Sequence, residues 1–264
     1  SGVTFPFGEV NELVASLARR LSRRLKLKNP VAMISLKKFN ESTRTQLASY
    51  ITAKGKKSAK GKIAMRTLMG DTKTKPLDLS DKKAVGEFVQ QLQKDGLLKK
   101  TMDVEVAKVT DPTLVGHSIV QRAAFEVLQP LTNSTLVAKE LAEYLVDSFG
   151  KQSRKGFHKK YDGATVIMLN DLNNINEAAI AMTAAHEMGH ALFNEEIDGV
   201  ITNKQLFSRL VKRFERDRQA ARDAGKPIPQ WETVGFEEWY ADQVAAWAKK
   251  DMLADKRTAN DAVD

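Results

Sequence analysis

Hydrophobic residues recur at helical spacing along most of this chain and form short unbroken apolar runs at two places. Over residues 9–27, Val10, Leu13, Val14, Leu17, Leu21 and Leu25 repeat every three or four positions, with Arg19, Arg20, Arg23, Arg24 and Lys26 between them. That period predicts an amphipathic helix, which Asn29-Pro30 stops. The runs Val31–Leu36 (VAMISL) and Ala164–Leu169 (ATVIML) predict buried strands, the second through β-branched Thr165, Val166 and Ile167. Helical periods return over 81–94, 112–128 and 134–149. They return again over 177–194, where Asn176 is placed to cap and Glu177 lies in the first turn. Two more follow over 203–224 and 234–250, separated by the rigid stretch Gly225-Lys226-Pro227-Ile228-Pro229. The tail after Met252 is small and polar and predicts fraying.

Residues 38–80 show no such order. Gly55, Gly61 and Gly70 interrupt a lysine-rich stretch that predicts a mobile basic loop, with a short helix near 62–69. Lys54, Lys56, Lys57, Lys60 and Lys62 are candidate contacts for a polyanion such as a nucleic-acid backbone; a solvated loop is the plainer reading. The stretch is not a P-loop. Gly55 and Gly61 stand one residue too far apart, and Ile63 occupies the place of the magnesium-binding hydroxyl. Residues 150–162 are again basic and turn-rich.

The net charge of +9 keeps a nucleic-acid partner in view without requiring one. The absence of cysteine excludes disulfides and thiolate metal sites. No apolar run approaches a membrane span, and none near the start resembles a signal peptide. The expectation is a soluble, cytoplasmic protein, with a virion-associated one as the variant; oligomeric state is left open.

The chemistry concentrates in Thr183-Ala-Ala-His186-Glu187-Met188-Gly189-His190. Side chains four apart share a helix face, so His186 and His190 can meet one tetrahedral ion. Glu187, one step round, is placed for a water rather than for the metal. Zinc would activate that water and Glu187 would take its proton. Without cysteine, the third ligand must be a histidine or an acid. His117 lies in an apolar stretch and reads as a core or helix-edge residue; His158, in the basic turn before the strand, could approach the cleft, with a surface residue as the favoured reading. Glu238 and Asp242 share a face of the last helix. Glu238 is the assigned third ligand, and Asp242 would hold the far nitrogen of His186. Glu237, Glu195, Glu196 and Asp198 stay open as alternatives to Glu238. Trp231, Trp239 and Trp247 read as packing residues, with a substrate subsite as the other option.

HEMGH followed by Glu238-Trp-Tyr-Ala-Asp242 resembles the gluzincin group of zincin metallopeptidases. The element order, and the run EEWYADQVAA, are similar to the ImmA/IrrE-like peptidases of bacteria and mobile elements over residues 9–36 and 161–250. The resemblance implies an α+β fold: a zincin-like core with a small mixed sheet, an active-site helix and a ligand helix. Residues 1–37 and 161–264 would form that core, and 38–160 a largely helical insertion with the basic loop. It implies a Zn2+ site of His186, His190 and Glu238, catalysis by Glu187, and a protein or peptide substrate. It also implies a cleft-edge strand, here Thr165, Val166, Ile167 and Met168, to pair with an extended substrate. An oxyanion-stabilising residue is implied as well; Tyr240 is the one tyrosine after the motif, with Arg209, Arg213 and Arg216 as alternatives. The rival reading is a nucleic-acid- or partner-binding module with a structural or vestigial zinc site.

Overall fold

A computed structural model of the chain describes residues 2–98, 112–132, 134–149, 155–161, 164–172, 176–198, 204–225 and 235–261. In chain order the elements are β1 (Val3–Thr4), α1 (Glu12–Leu25), β2 (Val31–Ser35), α2 (Leu36–Tyr50), α3 (Ala53–Lys57), α4 (Ala59–Met69), α5 (Lys82–Lys94), α6 (Pro112–Leu128), α7 (Thr135–Ser148), β3 (Gly156–Tyr161), β4 (Ala164–Leu169), α8 (Glu177–Asp198), α9 (Lys204–Asp223) and α10 (Phe236–Asp261). They fall into two compact units, Ser1–Ser35 with Lys155–Asp264, and Leu36–Arg154. Among the described residues the fold is thus mixed, mostly helical, with one small sheet.

The first unit holds a four-stranded sheet in the order β1-β2-β4-β3. β1, β2 and β4 run parallel, and β3 is antiparallel to β4. This corrects the edge-strand expectation. Thr165, Val166, Ile167 and Met168 lie on an interior strand whose two edges already pair with β2 and β3. The outer strand on the β4 side is β3, in a segment read from sequence as a turn. Its sequence GFHKKY has no apolar run, as suits an edge that must resist pairing with other chains. With β3 in the sheet, the first unit resumes at Lys155 rather than at 161.

One face of this sheet carries the unit's core. Val31 and Met33 of β2 and Ile167 and Leu169 of β4 pack with Val14, Leu17, Ala18 and Leu21 of α1. Ile180, Ala181, Ala184, Ala185, Met188 and Leu192 of α8 close the cluster. The alanines let α8 lie close against its neighbours, while each buried leucine contributes roughly 1.5–3 kcal/mol. Asn11 caps α1 by accepting the Val14 N–H at 2.8 Å. The helix ends where Lys26 turns left-handed at φ 53°.

In the second unit, α5, α6 and α7 form where the hydrophobic period predicts them. The basic stretch is not one loop: α2, α3 and α4 are helical, α4 taking in the short helix expected over 62–69, and only residues 70–81 run to α5 without a helix. The glycines there permit close approach instead of breaking structure. A Cβ on Gly61 would fall 1.5 Å from the Gly55 carbonyl oxygen, and one on Gly55 would fall 2.4 Å from Leu97. Ser58 and Thr52 cap α4 and α3 by accepting the N–H groups of Gly61 and Gly55. The helix α2 begins directly at Leu36 and buries Phe39, Thr43, Leu47 and Ala48. At the other end of the chain, α10 continues past Met252 to Asp261.

Candidate metal centre

Helix α8 starts under Asn176, whose side chain accepts the Ala179 N–H at 2.8 Å. His186, His190 and Asn194 follow at intervals of four and share one face. Between them, Gly189 lets α10 come in close. A Cβ there would stand 2.7 Å from Cα of Ala241 and 3.2 Å from its carbonyl oxygen. That approach carries Glu238 and Asp242, one turn apart on α10, to the two imidazoles.

The Nε2 atoms of His186 and His190 lie 3.1 Å apart. Oε2 of Glu238 is 3.3 Å from Nε2 of His186, and its Oε1 is 3.5 Å from Nε2 of His190. Tetrahedral zinc with bonds near 2.0–2.1 Å needs ligand atoms about 3.3 Å apart. These three side chains bring ligand atoms close enough together to hold one metal ion.

The proton positions agree. Nδ1 of His186 lies 3.0 Å from Oδ1 of Asp242, and Nδ1 of His190 lies 2.9 Å from Oε1 of Glu237. A carboxylate only accepts, so each Nδ1 donates to its acid, which would leave each Nε2 to face an ion bound between them. Burial works against charge on His186, but the bond to Asp242 and the carboxylates of Glu187, Asp242 and Glu238 outweigh it and hold the pKa above the usual 6.5.

The structure thus brings His186, His190, Glu238 and Asp242 together, with Glu187 buried beside them at 7% exposure. Glu237 is not a competing ligand but the partner of His190. Glu195 points elsewhere: its two oxygens accept the N–H groups of Lys28 and Asn29 at 2.8 and 2.9 Å. The side chains of Glu196 and Asp198, and Trp231, lie outside the described residues.

His158, for which a surface position was the favoured expectation, lies beside the cluster instead. It pairs opposite Ile167 on β3 and shares the sheet face that α8 covers. Its Nδ1 lies 3.2 Å from Oε2 of Glu187, and its Nε2 lies 3.1 Å from Nδ2 of Asn194. Its ring stacks on His190 at 4.5 Å with 9° between planes. His158, Glu187 and His190 also bring ligand atoms within 4.8 Å of one another. Stacked parallel rings cannot both keep one ion in their planes, so the set with Glu238 is the better metal site. The available signal for His158 was alternation: Gly156 and His158 fall on one strand face, and Gly156 leaves room for Glu187, whose Oε1 would stand 2.7 Å from a Cβ there.

Tyr240 does not join the site. Its ring packs against Phe193 at 5.6 Å and Phe236 at 6.4 Å, in a cluster that also holds Phe214 and buried Trp239. It lies roughly half a helical turn from Glu238 and Asp242, so the oxyanion assignment falls. Arg209, Arg213 and Arg216 are exposed on α9, and Arg213 donates to Gln243 at 3.1 Å. Trp247 is partly exposed beneath Arg24, away from the imidazoles. Lys54, Lys56, Lys57, Lys60 and Lys62 are exposed on α3 and α4, where Lys60 meets Asp95 at 2.9 Å. Among the described residues no helix is long and apolar enough to cross a membrane. Comparison with protein families, curated proteins and solved structures finds no match for the chain.

Proposed function

We propose that this chain is a zinc metallopeptidase of the gluzincin type, similar to the ImmA/IrrE-like peptidases. The observation that supports it is the convergence of His186, His190 and Glu238 at 3.1, 3.3 and 3.5 Å, with both outer imidazole nitrogens held by acids. These three residues would hold the ion. Bound there, zinc supplies Lewis acidity that makes water nucleophilic near neutral pH. Asp242 and Glu237 fix the ring orientations. Glu187 takes the proton of the attacking water and returns it to the leaving amine. A site that only held structure would have no use for that buried carboxylate. An extended peptide would lie along β3, the outer strand nearest α8, rather than β4. The lack of cysteine suits a reducing compartment such as the cytoplasm.

Elemental analysis of the purified chain and hydrolysis of denatured casein test this reading. One zinc per chain is expected. Glu187→Gln should keep the metal and lose about 10²–10⁴-fold in rate. Full proteolysis by that variant, or a chain that takes up no zinc, would overturn it.

A second reading concerns partners. Five exposed lysines on the α3–α4 hairpin favour a polyanion contact, for which nucleic acid is the candidate. Salt-dependent DNA binding that vanishes when those lysines are neutralised supports it; undiminished binding removes it.

A further inference from the structure

We propose that His158 is a positioning residue for Glu187, reaching the site from the edge strand. Three contacts fix its ring, and each comes from a different direction. Asn194 presents its Nδ2 to Nε2 of His158 at 3.1 Å. An amide nitrogen donates only, so Nε2 accepts and the hydrogen resides on Nδ1. That Nδ1–H points at Oε2 of Glu187, 3.2 Å away. The face of the ring lies flat on His190 at 4.5 Å. Tautomer, direction and tilt are all set before substrate arrives.

The consequence falls on Glu187. Its carboxylate sits between β3 and α8, with Gly156 leaving the room it occupies. A free carboxylate rotates about its last torsion, which is broad and soft. One oxygen bound by His158 stops that rotation and leaves the other for the proton of water. The stack on His190 also excludes His158 as a ligand of the same ion, so its contribution passes through Glu187. Asn194 extends the sequence signature: His186, His190 and Asn194 recur every four residues, the first two for the ion and the third for His158.

The proposal rests on Glu187 being the base, and its test separates the two. In the zinc-loaded full chain labelled with ¹⁵N-histidine, His158 should show the Nδ1-protonated tautomer, and Asn194→Leu should abolish that preference. Zinc affinity, measured by chelator competition, should be unchanged in His158→Ala. Peptide hydrolysis should lose about 10–100-fold in kcat with KM unchanged. His158→Asn, whose amide N–H stands near the lost Nδ1–H, should recover most of the rate. An Nε2-protonated His158, zinc loss in His158→Ala, or wild-type kcat in that variant overturns the proposal. Should the wild-type chain show no Glu187-dependent hydrolysis, the peptidase reading falls, while the tautomer still decides the His158–Glu187 contact.

Discussion

Nδ1 of His186 donates to Oδ1 of Asp242 across 3.0 Å, and this bond ties α8 to α10 beside the candidate metal site. In the proposed site the acid would fix the imidazole so that its other nitrogen faces the metal, and would raise its basicity. Asp242→Asn keeps an acceptor but removes the charge; Asp242→Ala removes both. Zinc affinity should fall about tenfold in the first and toward 100-fold in the second. Titration against a chromophoric chelator reads the values. Equal, undiminished affinity in both variants would show that the bond does not orient the ligand.

Gly189 sets how near the ligand helix can come. The atom that a new Cβ would meet is Cα of Ala241 at 2.7 Å, and backbone does not swing aside as a side chain does. Gly189→Ala gains helix propensity but must push α10 away, for a net loss of about 1–3 kcal/mol by overpacking. The same displacement moves Glu238 off the imidazoles, so zinc binding should weaken with stability. Urea unfolding and chelator titration on one preparation check both. A variant that binds zinc normally and unfolds at the wild-type midpoint refutes the spacing argument.

The parts of this molecule that sequence revealed are those with a period. Leu17 and Leu21, Val85 and Val89, and Leu141 and Leu145 announce their helices because one face is apolar and the other charged. His186, His190, Glu238 and Asp242 were legible for the same reason, since four-residue spacing converts directly into a shared face. The failures occurred where tertiary partners, not local period, decide the structure. β3 carries lysines because it is an edge, so it reads as a turn, and His158 went with it. α3 and α4 hold Gly55 and Gly61 because two backbones touch there; in isolation those glycines look like breakers. Glu237 lacked a partner on its own helix, and its bond to His190 comes from another.

Glu195 shows how an acid beside the motif serves the fold rather than the ion. Buried to 8% exposure, it accepts the N–H groups of Lys28 and Asn29, where the chain turns from α1 into β2. Glu195→Ala would leave both donors without that acceptor, at about 1–3 kcal/mol for each donor that water cannot reach. The expected result is a lower denaturation midpoint with zinc stoichiometry unchanged. Loss of zinc in a chain of normal stability would return Glu195 to the list of ligands.

His117 gives the second unit a pH dependence whose sign can be worked out. It lies on α6, its Nε2 2.9 Å from Gln121 and 3.5 Å from Asp147. The acid favours the charged ring, but burial and the nearby Lys82 outweigh it and hold the pKa below the usual 6.5. Below 6.5 the unfolded chain therefore takes up protons that the folded chain refuses. Stability from this group is intact above that value and is lost as pH falls through the folded pKa. His117→Gln removes the titration, while the carboxylates titrate in both proteins. The stability gap between wild type and variant should thus shift against wild type as pH drops from neutral into this range. Urea midpoints taken at matched ionic strength measure it. A gap that stays constant, or that moves in favour of wild type, would mean that Asp147 rather than burial governs the ring.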